Sequence, residues 1–362
     1  MNKENMTHSD EVGELSSQEI VIQADELQLL SSRIYQQVGV SKKNADIVAH
    51  LQVETDLRGI HSHGTRALPG YVRSVLSGRI NPTPNIQIIN QAPSSALIDG
   101  DAGLGHLVSV RAMNLAIDKA KTTGIAAVGS RNSNHFGAAS CFSMMALEHG
   151  MIGFSVSTSS PGVAPYGGME RVMGNHPLSY AIPTKKEPPI VIDMACGVSA
   201  WGRIATMAMY GRKLSPGWAL DENGKETDDP SKARVLLPMG GVKGYALAVA
   251  MDALSGPLAG GISTCHRSIS EYSGQRSSGH FFYAINVSSF VPLDEFTEEM
   301  DRTIQTIRAS KPAEGFDRVY LPGEIEWMKS QKWRKEGIPL HHQHVKSLVD
   351  IAEELSVEVP WT

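Results

Sequence analysis

The spacing of apolar residues predicts two helices near the start of the chain. One helical face is formed by Leu27, Leu30, Ile34 and Val38. Gly39 is placed to end this helix, and Ser41 is placed to cap a second helix that runs to about Leu57. The second helix leads into a polar, glycine-bounded segment at residues 59–71, so we expect this segment to be a loop held by a helical scaffold.

In the middle of the chain, short apolar runs alternate with helix-spaced patterns. Strands are predicted at residues 86–89, 96–98, 125–128, 152–156, 189–193 and 279–286, the last of these being the final strand. Helices are predicted between them, at residues 108–120, 138–148 and 198–210. This alternation predicts an α/β layer architecture.

The pattern becomes helical again towards the C terminus, with further helices predicted near residues 296–307, after Pro322 and near residues 345–355. The prolines at positions 82 and 84 indicate a domain boundary. We therefore predict three parts. Residues 1–18 form a disordered tail, residues 19–78 and 293–362 form a helical domain, and residues 79–292 form an α/β domain with a smaller inserted helical part.

The composition is that of an ordinary globular protein, with 41% hydrophobic and 20% charged residues. A net charge of -5 argues against a nucleic-acid or anionic-membrane partner and favours a small-molecule partner. The most apolar window, residues 245–262, contains Asp252, so it predicts a buried helix and not a membrane span. The cysteines at 141, 196 and 265 lack disulfide or zinc spacing and are expected to be buried, as in a cytoplasmic protein.

Residues 59–71 hold the densest chemistry of the chain. His63 can move protons near neutral pH, and Arg66, or Arg73 just beyond the segment, can bind a carboxylate through its planar guanidinium. His61 is expected to be an exposed neighbour. A metal site at the two histidines is disfavoured, because no third acid or cysteine stands at ligand spacing.

Two further loops are candidates for ligand binding. Residues 130–137 follow a strand and precede a helix, where a parallel sheet presents its binding crevice, and His135 there is a candidate for catalysis or for capping local backbone. Lys243, in the glycine-rich segment 238–245, is a candidate for phosphate or ribose contact or a solvated loop lysine. The usual Rossmann and Walker fingerprints are missing. The histidines at 341, 342 and 344 are expected to lie on a solvated helix face.

Seven sequence blocks occur in a specific order along residues 45–362: Asp56-Leu-Arg-Gly59, Ser62-His-Gly64, Asn134-His-Phe-Gly137, Ile192-Asp-Met-Ala195, Gly217-Trp-Ala-Leu-Asp221 with Asp229-Pro230, residues 238–245, and His280-Phe-Phe-Tyr-Ala-Ile285. Together they resemble the malate/L-lactate dehydrogenase family, which also contains ureidoglycolate and sulfolactate dehydrogenases, diketogulonate reductase and piperideine-2-carboxylate reductase. The resemblance implies an NAD(P)-dependent oxidoreductase with a non-Rossmann α/β fold, a mixed sheet core, and usually a homodimer.

The resemblance also implies roles for individual residues. His135 and His63 match the two histidines to which the acid/base role is given in different members, while Ser62 and Tyr71 match substrate-pocket positions. The positions that match cofactor contacts, with NAD or NADP, are Ser159, Asp193, Met194, Ala195, Lys243, Gly323 and Glu324. No metal is implied.

The implied reaction is hydride transfer between nicotinamide and C2 of a small 2-hydroxy acid or 2-oxo acid. It needs a base for the hydroxyl proton and a cation for the carboxylate. We expect His135 to be the acid/base, His63 to orient the substrate oxygen or share the proton, and Arg66 to bind the carboxylate.

The chain departs from the family pattern near the expected cofactor. It has Gly174-Asn-His-Pro177 in place of Gly-Thr-Asn-Pro, Cys196-Gly197 in place of Thr-Ser, and Thr158 in place of asparagine. These departures leave the choice between NAD and NADP open. Two other functions also remain open: a reductase of cyclic imino acids of the piperideine- or pyrroline-2-carboxylate type, and a catalytically silent ligand-binding homologue.

Overall fold

The computed structural model describes residues 18–267 and 278–361. The predicted tail, apart from Gln18, lies outside these residues. The N-terminal part contains strand β1 and three helices: β1 (Glu19–Ile22), α1 (Ala24–Gln37), α2 (Lys42–Leu57) and α3 (Leu68–Leu76). The two helix boundaries predicted from the sequence are confirmed. Gly39 has a φ of 92°, and the Ser41 side chain accepts a hydrogen bond from the Asn44 backbone at the start of α2.

The middle of the chain forms two sheets with helices packed on them. Its helices are α4 (Gly105–Thr123), α5 (Ser140–Ser143), α6 (Trp201–Met209) and α7 (Val242–Ser255). Its strands are β2 (Gln87–Ala92), β3 (Ser95–Asp99), β4 (Ile125–Ser133), β5 (Met151–Ser157), β6 (Pro161–Val163), β7 (Met173–Gly174), β8 (Leu178–Ile182), β9 (Ile190–Met194), β10 (Ala219–Leu220), β11 (Val235–Leu236) and β12 (Ser278–Asn286). The predicted α/β class is confirmed.

The large sheet has the order β2-β3-β4-β12-β5-β8-β9, and only β3 and β4 pair in parallel. A smaller sheet has the order β10-β11-β6-β7. The prediction that residues 130–137 follow a strand of a parallel sheet is therefore only partly right, because β4 does pair in parallel with β3. β4 extends to Ser133, and its second neighbour is β12, which arrives from far downstream and pairs antiparallel with it. Local sequence carries no signal for this long-range insertion.

The C-terminal part contains α8 (Leu293–Arg308), α9 (Glu324–Glu336), β13 (Ile338–His341) and α10 (His342–Glu354). β12 is thus not the final strand, because β13 follows it and pairs antiparallel with β1. This two-stranded sheet joins the two ends of the chain. Side chains from α1, α2, α3 and α10 share one apolar core, whereas Ile304 of α8 packs with Ile190 of β9.

Two expectations about burial need correction. Cys141 and Cys196 are buried, but Cys265 is exposed. Helix α7 is apolar as predicted, yet Val242 and Val249 on it are about half exposed. Among the described residues, the helices are all too short or too polar to cross a membrane.

Candidate active site

The buried carboxylate of Asp56 organises the loop that carries His63. It accepts hydrogen bonds from the Thr65 backbone nitrogen at 2.8 Å and from Thr65 Oγ1 at 2.6 Å, and it lies 2.9 Å from His61 Nδ1. Gly64 passes so close that a Cβ on it would lie 2.2 Å from Asp56 Oδ1. The loop is closed around this carboxylate, and position 64 has no room for a side chain.

The other histidines around this loop are structural. His61 is not the free neighbour that the sequence suggested, since it contacts Asp56 and its ring stacks on Trp333 at 5.7 Å. His344 is buried, and its Nε2 lies 3.0 Å from Thr65 Oγ1. The expectation of a solvated face is therefore wrong for His344, and also for the buried His341, because the pairing of β13 with β1 brings the start of α10 against the loop. It holds only for the histidine at 342, which is exposed.

The structure brings His63 and His135 together from distant parts of the chain. Their ring centroids are 5.6 Å apart, and the rings are tilted by 31°. Tyr71 stacks against the far side of the pair, with its ring 5.9 Å from that of His135. Three of the residues expected at the site thus form one cluster.

Hydroxyl groups fix one nitrogen of each imidazole. Tyr71 Oη lies 2.5 Å from His135 Nδ1, and Ser62 Oγ lies 2.8 Å from His63 Nδ1. Within residues 18–267 and 278–361, no hydrogen bond engages the Nε2 atom of either ring. Each Nε2 is therefore available to a ligand.

The position of His135 follows from the turn after β4. The Asn134 amide donates to the carbonyls of Ala102 and Gly103, at 2.8 and 2.9 Å. Gly105, at the start of α4, lies so close that a Cβ would be 2.2 Å from the Asn134 carbonyl oxygen. Close packing against the start of α4 therefore fixes the position of the segment that carries His135.

The protein surroundings keep both imidazoles neutral at pH 7. Burial lowers the pKa of His63, and the Asp193 carboxylate opposes this shift. Enclosure by protein lowers the pKa of His135 as well, with smaller effects from His63, His106 and His280. His135 is nevertheless exposed to solvent, so water offsets part of the desolvation. Neutral histidines can accept a proton from a ligand.

Asp193 connects this cluster to the expected cofactor side. It lies near the end of β9, and its Oδ2 accepts a hydrogen bond from the Ser140 backbone nitrogen at 3.0 Å. Its pKa is raised, mainly because protein atoms surround it, although the residue remains accessible to solvent. Hydrogen bonds from Ser140 lower this pKa, and His63 and Arg58 act in the same direction to a smaller extent. Asp193 is thus an acidic group between the histidine cluster and the residues expected to contact the cofactor.

The side chain of Arg66 points towards α6. Its Nη1 donates to Thr206 Oγ1 at 2.8 Å, and a Cβ on Gly202 would lie 3.3 Å from Ser62 Cβ. Helix α6 therefore covers the histidine loop. Arg73 is a surface residue that pairs with Glu354 at 3.2 Å, so it lies away from the cluster.

The segments expected to contact a cofactor surround β9. The Met239 nitrogen donates to the Cys196 carbonyl at 2.9 Å, which holds the glycine-rich segment next to Met194 and Ala195. Lys243, in the first turn of α7, is exposed. Ser159 accepts a hydrogen bond from the backbone nitrogen of His176 at 3.1 Å.

Gly323 and Glu324 lie at the start of α9, against β9. Gly323 has a φ of 81°, and a Cβ there would lie 2.5 Å from the Val191 carbonyl oxygen. Glu324 is buried, and it accepts hydrogen bonds from Arg308 and Arg318. These contacts give Glu324 a structural function, and a cofactor contact by either residue stays a prediction.

Sequence reasoning missed several residues that support the site. His106 packs edge-on against Tyr71 at 5.3 Å, and His280 lies between the hydroxyls of Ser133 and Ser157, 2.8 Å from each. The block containing His280 was recognised, but its imidazole had no evident partner in sequence. Polar residues at inward positions of a strand were the available signal.

Comparison with known proteins relates this chain to a single family. A family model described as malate/L-lactate dehydrogenase matches residues 22–349. The chain is 39% identical over 359 residues to a malate dehydrogenase of Pyrococcus horikoshii, with 96% of this chain and 99% of that protein covered. The solved structure of a malate dehydrogenase from P. horikoshii superposes with a TM-score of 0.87 at 38% identity, covering 96% of this chain and 98% of that one.

Relatives with other substrates in their names are nearly as similar. An L-sulfolactate dehydrogenase of Methanocaldococcus jannaschii is 37% identical over 328 residues, which cover 90% of this chain and 94% of that protein. A ureidoglycolate dehydrogenase (NAD(+)) of Escherichia coli K12 is 34% identical over 318 residues, which cover 86% of this chain and 90% of that protein. These names differ in the acid and agree in the type of reaction.

Proposed function

The chain belongs to the malate/L-lactate dehydrogenase family, and from this premise we propose that it transfers a hydride between a nicotinamide cofactor and C2 of a small 2-hydroxy or 2-oxo acid. The observation that carries the proposal is the neighbouring pair of solvent-accessible histidines, His63 and His135, with one nitrogen of each ring held by a hydroxyl. This arrangement suits proton transfer to and from a substrate oxygen.

The groups on the cofactor side fit a nicotinamide dinucleotide. Lys243 offers an exposed ammonium in a glycine-rich turn, which is suited to phosphate oxygens. Ser199 is buried, and its hydroxyl has no hydrogen-bond partner in the part of the chain that the structure describes. We assign the cofactor to Ser159, Lys243 and the segment from Asp193 to Ala195, with NAD and NADP both compatible.

A bound nicotinamide would supply the hydride acceptor for C2 of the substrate. In the oxidative direction, Nε2 of neutral His135 would take the proton of the substrate hydroxyl. For Nε2 to act as the base, the other nitrogen must carry the ring proton, which it donates to the Tyr71 oxygen. His63, held by Ser62, orients the substrate oxygen or shares the proton. In the reductive direction, protonated His135 returns the proton to the oxygen.

We propose that Arg66 binds the substrate carboxylate after exchanging its hydrogen bond with Thr206. Replacing Arg66 by Gln should raise the KM for the acid with little change in the cofactor Kd. Thr206→Val serves as the matched control, because it removes the resting partner of Arg66 and keeps the guanidinium. An unchanged KM in Arg66→Gln would contradict the assignment.

We also propose a homodimer in the cytoplasm. The dimer is supported by the family resemblance and by the half-exposed apolar side chains Val242, Val249, Leu258 and Ile262 on and after α7. Light scattering should give twice the mass of the chain, and Val249→Glu should lower it. A monomeric wild-type protein would contradict the proposal.

Cofactor binding and substrate oxidation test the proposed function separately. NADH or NADPH should raise the melting temperature of the protein, and Lys243→Ala should weaken binding more than it lowers turnover at saturating cofactor. A panel of 2-hydroxy acids, 2-oxo acids and cyclic imines then separates the dehydrogenase from the imino acid reductase. Binding without any turnover would instead support the silent homologue.

A further inference from the structure

His176 lies on the cofactor side of the cleft and takes no part in the mechanism above. It is fully buried just after β7, and its φ of 37° falls in the left-handed region that residues other than glycine rarely adopt. Its backbone nitrogen donates to Ser159 Oγ at 3.1 Å, and its carbonyl accepts a hydrogen bond from Cys196 Sγ at 3.5 Å. The unusual backbone of one residue thus holds two segments of the expected cofactor site.

The His176 ring fills the space between β7 and α7. A Cβ on Gly174 would lie 2.6 Å from His176 Cε1, and His176 Nε2 lies 3.4 Å from Asp252 Oδ1. Neither ring nitrogen makes a hydrogen bond of normal geometry to a described residue. Burial lowers the pKa of His176 to about 4, against the opposing effects of Asp252 and the Ser157 backbone. The ring is therefore neutral near pH 7 and acts mainly through its shape and its contact with Asp252.

Asp252 completes a closed circuit of contacts. It lies on α7, the helix that carries Lys243, and it accepts a hydrogen bond from the Thr264 backbone nitrogen at 3.0 Å. The Thr264 hydroxyl in turn donates to the Ser159 carbonyl at 3.4 Å. The circuit runs from Ser159 through His176, Asp252 and Thr264 back to Ser159.

From this circuit we propose that His176 is a positioning residue for the cofactor. Its ring braces α7 through Asp252, and its backbone fixes the Ser159 hydroxyl, so that Ser159 and Lys243 keep a set distance from each other. This inference rests on the proposed function, because it concerns the same cofactor site. It gives a physical role to one departure from the family pattern, the histidine in Gly174-Asn-His-Pro177.

The test compares three substitutions at position 176 by the Kd for NADH and NADPH, measured from nicotinamide fluorescence. His176→Ala should raise the Kd of the better cofactor about tenfold, because it removes the ring that contacts Asp252 on α7 and because alanine disfavours the positive φ that aims the backbone N–H at Ser159. His176→Gly, which adopts a positive φ without strain, should raise it as well, and it serves if the alanine variant does not fold. His176→Asn should stay within about threefold of wild type, since asparagine tolerates the left-handed region. At saturating cofactor, kcat should be unchanged in all three.

Two controls separate positioning from a merely structural role. Because part of the effect of His176 passes through Ser159, the double variant His176→Ala with Ser159→Ala should lose less affinity than the two single effects combined. Ile351→Val, in the core near the chain ends, should lower the melting temperature without changing the cofactor Kd. Wild-type affinity in His176→Ala and His176→Gly, or additive effects in the double variant, would overturn the inference. A wild-type protein that binds neither cofactor would instead overturn the proposed function.

Discussion

The hydrogen bond between Tyr71 and His135 engages Nδ1 of the imidazole, and under the proposed mechanism this leaves Nε2 for the substrate. The sequence resemblance assigned Tyr71 to the substrate pocket, but the structure shows its hydroxyl on the catalytic candidate itself. At the scale of single residues, the chemistry therefore depends on pairs: Tyr71 with His135, and Ser62 with His63.

Tyr71→Phe tests this pairing. The change removes the hydroxyl and keeps the ring, so His135 loses control of its tautomer. We expect kcat to fall up to about tenfold, because one neutral hydrogen bond contributes about 0.5–1.5 kcal/mol. Tyr320→Phe, which changes a half-buried tyrosine bonded to Asp317, is the matched control. Steady-state rates of Tyr71→Phe equal to those of the control would contradict the assigned role.

At the scale of elements, the end of α2 and the loop after it form one unit around Asp56. Gly64→Ala would place a methyl group against this carboxylate, so we expect a loss of about 1–3 kcal/mol in the free energy of unfolding and a lower kcat. Gly70→Ala is the matched control, since a Cβ there would meet nothing within 4 Å. Position 70 lies in α3, where alanine is favoured over glycine. Urea unfolding of both variants checks this, and equal stabilities would refute the close contact.

The local sequence pattern predicted where helices and strands lie better than it predicted which of them pair or pack together. The helix boundaries at Gly39 and Ser41 and the strands around β4 and β5 follow from spacing and capping, which are local properties. The pairing of β12 between β4 and β5, and the contact of His344 with Thr65, join residues more than a hundred positions apart. Such contacts depend on tertiary packing, which has no local sequence signature.

The candidate site shows the same division. His63 and His135 could be selected from the sequence because polar residues concentrate in their loops. The role of Asp56 could not, because it depends on the backbone of Thr65 folding back over α2. The direction of Arg66 towards Thr206 was also out of reach, since α6 arrives from another part of the chain.

At the scale of the whole molecule, buried neutral histidines should make the fold sensitive to acid. Burial lowers the pKa of both His106 and His280 to about 3, against about 6.5 in the unfolded chain. The unfolded state therefore binds more protons below pH 6.5, and stability falls as the pH falls from there towards 3. At pH 5 each of these two histidines should lower the free energy of unfolding by about 2 kcal/mol. Urea unfolding at pH 7 and pH 5 measures this.

Substitution of His280 tests whether this residue contributes to the loss of stability at acid pH. His280→Gln should be less stable than wild type at pH 7, because it loses the contacts with Ser133 and Ser157, but its stability should fall less between pH 7 and pH 5. His342→Gln, at an exposed position, should keep the wild-type slope. The same slope in all three proteins would exclude His280 as a cause of acid sensitivity.

We propose that His63 and His135 perform the proton transfer that accompanies hydride transfer. A single-turnover measurement of nicotinamide reduction by the preferred 2-hydroxy acid tests it most directly, with His149→Ala as an exposed histidine control. We predict that His135→Ala lowers the rate about 10²–10⁴-fold and that His63→Ala also lowers it, with unchanged melting temperature and cofactor Kd. Wild-type rates in both single variants would contradict the account.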